Sequence, residues 1–91
     1  MCGANPERTL TGDYAISGTV VVDGAKRPGA YVRLLDKDGE FVAESPTSRE
    51  GSFAFFAAPG EWTVRLILPT GSIDRRTVLT DKGGASVEFA V

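Results

Sequence analysis

The sequence predicts an all-β protein, a two-sheet antiparallel sandwich of about seven strands. Apolar residues alternate in short runs instead of recurring at helical spacing, and turn signals separate those runs roughly every eight to twelve residues. Eleven glycines and five prolines in 91 residues leave little room for long helices. That length is one small domain, and an apolar content of 42% is enough to pack an interior.

Residues 1–12 carry Asn5-Pro6, two charged residues and only Leu10 as a sizeable apolar side chain, which reads as a flexible N-terminal arm ahead of a sandwich domain over 13–91. From Tyr14 the pattern alternates. Tyr14, Ile16, Gly18, Val20 and Val22 fall on one face, and Ser17, Thr19 and Val21 on the other, as a half-buried strand requires. Asp23-Gly24 breaks this strand, and Pro28-Gly29 leads into Ala30-Tyr31-Val32-Arg33-Leu34-Leu35, whose inward set is Ala30, Val32 and Leu34.

Asp38-Gly39 supplies the positive φ of a hairpin into a strand over Phe41 to Glu44. Arg49-Glu50-Gly51 turns the chain into Ser52 to Phe56. Ala58-Pro59-Gly60 turns it again into a strand where Trp62, Val64, Leu66 and Leu68 share one face. Beyond Pro69-Thr70-Gly71, strands over Ile73 to Thr80 and Ala85 to Val91 complete the set, with Val87, Phe89 and Val91 pointing inward. Phe53, Phe55, Trp62 and Phe89 are the expected core aromatics. Tyr31 and Phe56 fall opposite the core set, where exposed aromatics can hold carbohydrate, although packing at the core edge explains them more simply.

Several stretches carry a resemblance. Ile16-Ser17-Gly18-Thr19-Val20, Pro28 to Leu34, Glu50-Gly51-Ser52-Phe53-Ala54-Phe55 and Ala58 to Val64 resemble the carboxypeptidase regulatory-domain pattern, a transthyretin-like (prealbumin-like) sandwich, over about residues 14–70. A narrower likeness runs through the whole chain. Met1-Cys2-Gly3-Ala4, Tyr31 to Asp36 and Phe53 to Thr63 are similar to a family of small, uncharacterised actinobacterial proteins associated with thiosulfate sulfurtransferases of the rhodanese type. That resemblance implies an accessory role in sulfur metabolism, a rhodanese-type sulfurtransferase as partner, and no catalysis by the sandwich itself.

Cys2, the single cysteine of the chain, is the candidate sulfur-carrying thiol. Methionine removal is expected before so small a second residue. The exposed α-ammonium next to the thiol would then favour the thiolate, which is the nucleophilic form. An extended arm of ten residues reaches about 35 Å at most, enough to bring Cys2 into a partner's active site while the sandwich docks outside. The other reading is a non-catalytic binding or scaffolding module in which Cys2 is incidental and a loop or strand edge holds the partner.

Other chemistries fit poorly. Ten basic and twelve acidic residues give a net charge of −2, so nothing points to nucleic acid or to an anionic membrane, and Lys26-Arg27 and Arg75-Arg76 read as solvated surface. No apolar run approaches the roughly 20 residues of a membrane span, the start lacks a secretory leader, and a lone cysteine agrees with a reducing compartment. A cytoplasmic location is therefore expected, with Cys2 not a lipoprotein cysteine. With no histidine, a serine-histidine pair or a hydroxyisourate hydrolase site is ruled out. A Met-Cys-Gly start also opens glutamine amidotransferases, but these need helices and about twice this length. The ending Phe89-Ala90-Val91 does not provide a Gly-Gly thiocarboxylate, and the first and last strands lack the lysine and asparagine of an isopeptide crosslink. Asp36, Asp38 and Glu40 resemble a solvated hairpin more than a calcium loop, so neither metal nor cofactor is expected.

Overall fold

The computed structural model describes residues 15–80 and 84–91. These residues form eight strands: β1 (Ala15–Val22), β2 (Ala25–Lys26), β3 (Tyr31–Leu35), β4 (Phe41–Pro46), β5 (Ser52–Phe56), β6 (Gly60–Leu68), β7 (Gly71–Leu79) and β8 (Ala85–Ala90). The expected all-β two-sheet sandwich is what these strands build. Among the described residues no helix is long and apolar enough to cross a membrane.

The additional strand is the two-residue β2. Asp23 and Gly24 carry positive φ of 54° and 81°, the conformation of a two-residue type I′ turn, so the chain doubles back and pairs Val22 with Ala25. A similar requirement is met at Gly39, with φ 82° in the hairpin between β3 and β4. The predicted strand from Ile73 begins two residues earlier, at Gly71, because Pro69 and Thr70 alone make the turn from β6.

In the first sheet β1 is the hub. It runs antiparallel to β2 and β5 and parallel to β8. Val20 donates its N–H to the Gly51 carbonyl and accepts the N–H of Arg27, both on one edge, so that edge meets β5 and then β2. On the other edge, Val91 donates to the Val21 carbonyl and its own carbonyl accepts the N–H of Asp23. The second sheet is antiparallel throughout, in the order β4-β3-β6-β7.

Alternation sets the core. Ile16 and Val20 from β1, Val32 and Leu34 from β3, Val64 and Leu66 from β6, and Phe89 from β8 are almost fully buried between the sheets. Phe53 lies tilted against Phe55 and Phe89, with ring centroids 6.0 and 6.2 Å away. Gly18 sits in the same inward row, between Ile16 and Val20. A Cβ there would overlap the Val87 carbonyl oxygen and lie 2.8 Å from Cζ of Phe53, so only glycine admits both the β8 backbone and the ring.

Some expectations are corrected. Val91 is not inward: it lies past the end of β8 and is 48% exposed, held by its backbone bonds to Val21 and Asp23. Trp62 packs on the core edge but is only half-buried, its indole N–H donating to the Ala58 carbonyl at 2.8 Å. Leu35, outside the expected inward set, is buried all the same. It keeps its outward register opposite Thr63 of β6 and lines a depression on the outer face together with the turn at Lys37 to Gly39, so its burial lies outside the core between the sheets. Tyr14 and the arm lie outside the described residues.

Thr47 is a buried polar residue that the periodicity does not reveal. Its hydroxyl donates to the Arg27 carbonyl at 2.6 Å and accepts the N–H of Ala30 at 2.9 Å, tying the end of β4 to the loop before β3.

Two outcomes follow for stability. Gly18→Ala is expected to destabilise by about 3 kcal/mol, since backbone as well as side chain must shift. Urea unfolding reads this directly, and a change below about 1 kcal/mol would show that the approach of β8 is looser than described. Thr47→Val leaves the Ala30 N–H buried without its partner and should cost about 1–3 kcal/mol in the same assay. An unchanged midpoint would contradict that role.

Candidate functional site

The outer faces of the two sheets differ sharply. On the first sheet, Ser17, Thr19, Ala54 and Ser86 point away from the core and make a patch of small residues bordered by the exposed Phe56 and Glu88. On the second sheet, register brings large and charged side chains into rows. Tyr31, Arg33 and Leu35 of β3 lie opposite Ile67, Arg65 and Thr63 of β6, which lie opposite Ser72, Asp74 and Arg76 of β7.

One row crosses the whole sheet as Glu44, Arg33, Arg65, Asp74, one residue from each strand. The two central arginines are direct cross-strand neighbours, an arrangement that like charges alone disfavour. The flanking carboxylates offset it. Arg33 Nε donates to Glu44 Oε1 at 2.9 Å, while Arg65 forms a two-pronged contact, Nε to Asp74 Oδ1 at 2.8 Å and Nη2 to Oδ2 at 3.1 Å. The Arg33 guanidinium also lies 5.6 Å from the ring centroid of Phe41, which is 59% exposed.

Beside this row lies a shallow depression of about 700 Å³, lined by Leu35, the turn at Lys37 to Gly39, and Glu61, Thr63, Arg76 and Val78. The turn is fixed by Asp36, whose Oδ1 accepts the N–H groups of Asp38 and Glu40, each at 2.9 Å. Asp36 thus uses its carboxylate to shape the hairpin. This face combines exposed aromatics, paired arginines and a concave floor, the composition that protein interfaces favour.

The structure does not bring together all of the residues singled out in the sequence. Tyr31 stands on the second sheet and Phe56 on the first, so the two do not form one aromatic platform for a sugar. Arg75 and Arg76 are both exposed, but only Arg76 belongs to the charged face. Arg75 points along the inner row and lies over the Phe89 ring at 5.6 Å, screening the open edge of the core. Cys2, the candidate thiol, lies outside the described residues. The charged row itself was missed in the sequence; its only trace was a charged residue at an outward position in each strand, Arg33 in β3, Glu44 in β4, Arg65 in β6 and Asp74 in β7.

These features define a small β-sandwich with a patch of small residues on one outer face and a charged row crossing the other. Solved structures share this architecture. The TIE protein of Bacillus anthracis is similar with a TM-score of 0.68 and 18% identity, over 85% of this chain and 16% of that one. BcpA, the major pilin subunit of Bacillus cereus, is similar with a TM-score of 0.65 and 13% identity, over 87% of this chain and 29% of that one. At these identities the likeness is one of fold.

Sequence comparison is more specific. The chain belongs to the family described as Protein of unknown function (DUF1416), whose pattern matches residues 3–91. The uncharacterized proteins Rv0814c and Rv3118 of Mycobacterium tuberculosis are each 48% identical over 66 residues, covering 71% of this chain; the chain thus spans 66% of their length. An uncharacterized protein of Mycolicibacterium smegmatis is 45% identical over 84 residues, 90% of this chain and 92% of its own.

The Arg65–Asp74 pair makes a testable statement about pH. Hydrogen bonding to Arg65 is the main cause that holds the Asp74 carboxyl below its ordinary value near 3.8, with the Arg65 and Arg76 charges adding and burial opposing. A depressed native pKa means that the stabilisation is complete above the unfolded value and lost as pH falls through the native one. Solvent exposure keeps its size small. Carboxyl NMR titration should place the Asp74 midpoint below 3.8 and return it towards that value in Arg65→Gln; a wild-type midpoint above 3.8 would remove the pair from the account.

Proposed function

We propose that this chain is an accessory protein of sulfur transfer, in which the sandwich docks a rhodanese-type sulfurtransferase on the outer face of the second sheet and Cys2 accepts sulfane sulfur from it. The observation that carries the docking half is the row from Glu44 to Asp74 beside an exposed Phe41 and a concave floor. Arginine and aromatic side chains already fixed by neighbours lose little freedom on binding. The sulfur half is supported by the Met1-Cys2-Gly3-Ala4 start and the resemblance built on it.

Geometry makes the two halves compatible. Ala15, where β1 begins, pairs with Phe56 and so stands at the end of the sandwich where β6 starts and where the Lys37 to Gly39 turn borders the depression. The chain between Cys2 and Ala15 has a contour of about 45 Å when fully extended. That exceeds the longest dimension of the sandwich, 34 Å, so a partner seated on the charged face is within range of the thiol.

The transfer balances without cofactor, metal or outside oxidant. The Cys2 thiolate attacks the terminal sulfur of the partner's cysteine persulfide. A new S–S bond forms on Cys2, the partner's S–S bond breaks, and the partner's cysteine leaves as thiolate. One sulfur atom moves and no net electrons do. A cytoplasmic setting, where thiols stay reduced, suits this exchange.

A second reading keeps the docking face and drops the thiol: a scaffolding module with Cys2 incidental. It is favoured by the described contacts of the charged row, Arg33 with Glu44 and Phe41 and Arg65 with Asp74, which hold it in place from within the sheet. Intact-mass analysis after incubation with a persulfide-loaded rhodanese-type sulfurtransferase should show a gain of about 32 Da, one sulfur atom, on the wild-type chain and none on Cys2→Ser. Absence of that gain, with binding weakened roughly tenfold by Arg33→Ala and unchanged by Cys2→Ser, would select the scaffold.

A further inference from the structure

Among the described residues, the nine of β7 form an open sheet edge. The two-residue turn at Pro69-Thr70 makes Leu68 and Gly71 a hydrogen-bonded pair, so alternate residues of β7 from Gly71 onward bond to β6. The residues between them, Ser72, Asp74, Arg76 and Val78, direct their backbone N–H and C=O groups to the outside. β7 is the last strand of its sheet, and its register with β6 is continuous from Gly71 to Leu79. The other edge of this sheet is less suited to pairing: β4 has six residues, a register shift and Pro46 at its end. In the first sheet the edge strands β5 and β8 have five and six residues.

Charge along β7 is antisymmetric about Arg75, with Asp74 before it and Arg76 after it. We infer that β7 is an assembly edge that pairs antiparallel with β7 of a second copy of this chain, the two-fold axis passing at Arg75. This register places Asp74 opposite Arg76 of the other copy twice over, and Ser72 opposite Val78, all four being positions whose backbone groups face outward. The occupant is argued from this complementarity. In one copy Arg76 faces Thr63 across the strand pair and lacks a carboxylate opposite it on β6. The second copy supplies one, and the row Glu44, Arg33, Arg65, Asp74 continues into Arg76 of the neighbour, with alternate signs after the central arginines.

Arg75 meets its own copy at the axis. Its guanidinium is held 5.6 Å over the Phe89 ring of its own chain, on the inner side, which separates the two charges. Its 3.3 Å bond from Nη1 to the Asp74 carbonyl is exchanged for the backbone N–H of Arg76 from the other copy. The pairing is independent of the sulfur-transfer reading. It joins two charged faces into one eight-stranded sheet and leaves Cys2 untouched.

Sedimentation equilibrium of the full chain tests this, at concentrations up to about 1 mM because a single edge contact is weak. The wild type should pass from one to two chain masses as concentration rises. Arg76→Glu sets like charges against each other and should abolish the shift, as should Asp74→Lys. Mixing these two variants should restore a dimer, because Asp74 then meets Arg76 and Glu meets Lys. Val78→Pro removes an outward N–H without taking a β6 bond, and should hold the chain monomeric. If Asp74→Lys fails to fold, having lost its bond to Arg65, Arg76→Glu and Val78→Pro carry the test alone. A wild type that stays monomeric throughout, or a dimer that survives both of those changes, would overturn the assignment, as would a mixture of folded variants that fails to associate.

Discussion

The whole sandwich turns on the close approach at Gly18, where β1, β8 and the ring of Phe53 occupy space that any side chain would fill. β1 alone contacts every other strand of its sheet, two antiparallel and one parallel. Its inward residues Ile16 and Val20 are fully buried on either side of the glycine. The missing side chain allows Phe53 to reach Phe89 across the hub strand, so the aromatic cluster and the strand order are one constraint.

The second sheet meets a different difficulty. Strand register forces Arg33 and Arg65 to face each other, and the sheet tolerates this only because each has a carboxylate on its far side. Such exposed pairs add little to folding stability individually. Their effect is local: they hold four long side chains in a fixed row on a face that is otherwise open. The contrast with Ser17, Thr19, Ala54 and Ser86 across the molecule means that the two outer faces are unequal in what they can recognise. Arg75, on the same strand as Asp74 and Arg76, belongs to neither face and instead covers the buried Phe89 ring at the rim of the core.

Much of the fold was legible because side-chain alternation and glycine chemistry are local. Ile16, Val20, Val32, Leu34, Val64 and Leu66 fell on the buried face, and Asp38-Gly39 gave the hairpin expected of it. What escaped was non-local. The parallel pairing of the first and last strands leaves no mark on either segment, and Thr47 gains its role from Arg27 and Ala30, far from it in sequence. Leu35 is buried on the outward side, beside the turn at Lys37 to Gly39, where simple alternation expects exposure, whereas Val91 stays outside because it ends in backbone bonds rather than in packing. The charged row needed four strands in known register before its arginines became neighbours. The proposed chemistry at Cys2 comes from residue type and resemblance, whereas the docking face comes from register.

The pairing of β1 with β8 has a temporal side. β3 and β4 are joined by a short turn, as are β6 and β7, and those two hairpins can zip soon after they leave the ribosome. β1 emerges ahead of the other described strands yet must wait for residues 85–90 before its second edge is satisfied, with six strands intervening. During that interval the slot meant for Phe89 stays vacant and β1 offers an unfilled edge. The slowest closure, and the moment of greatest exposure to misassembly, therefore waits on β8, which completes the second edge of β1.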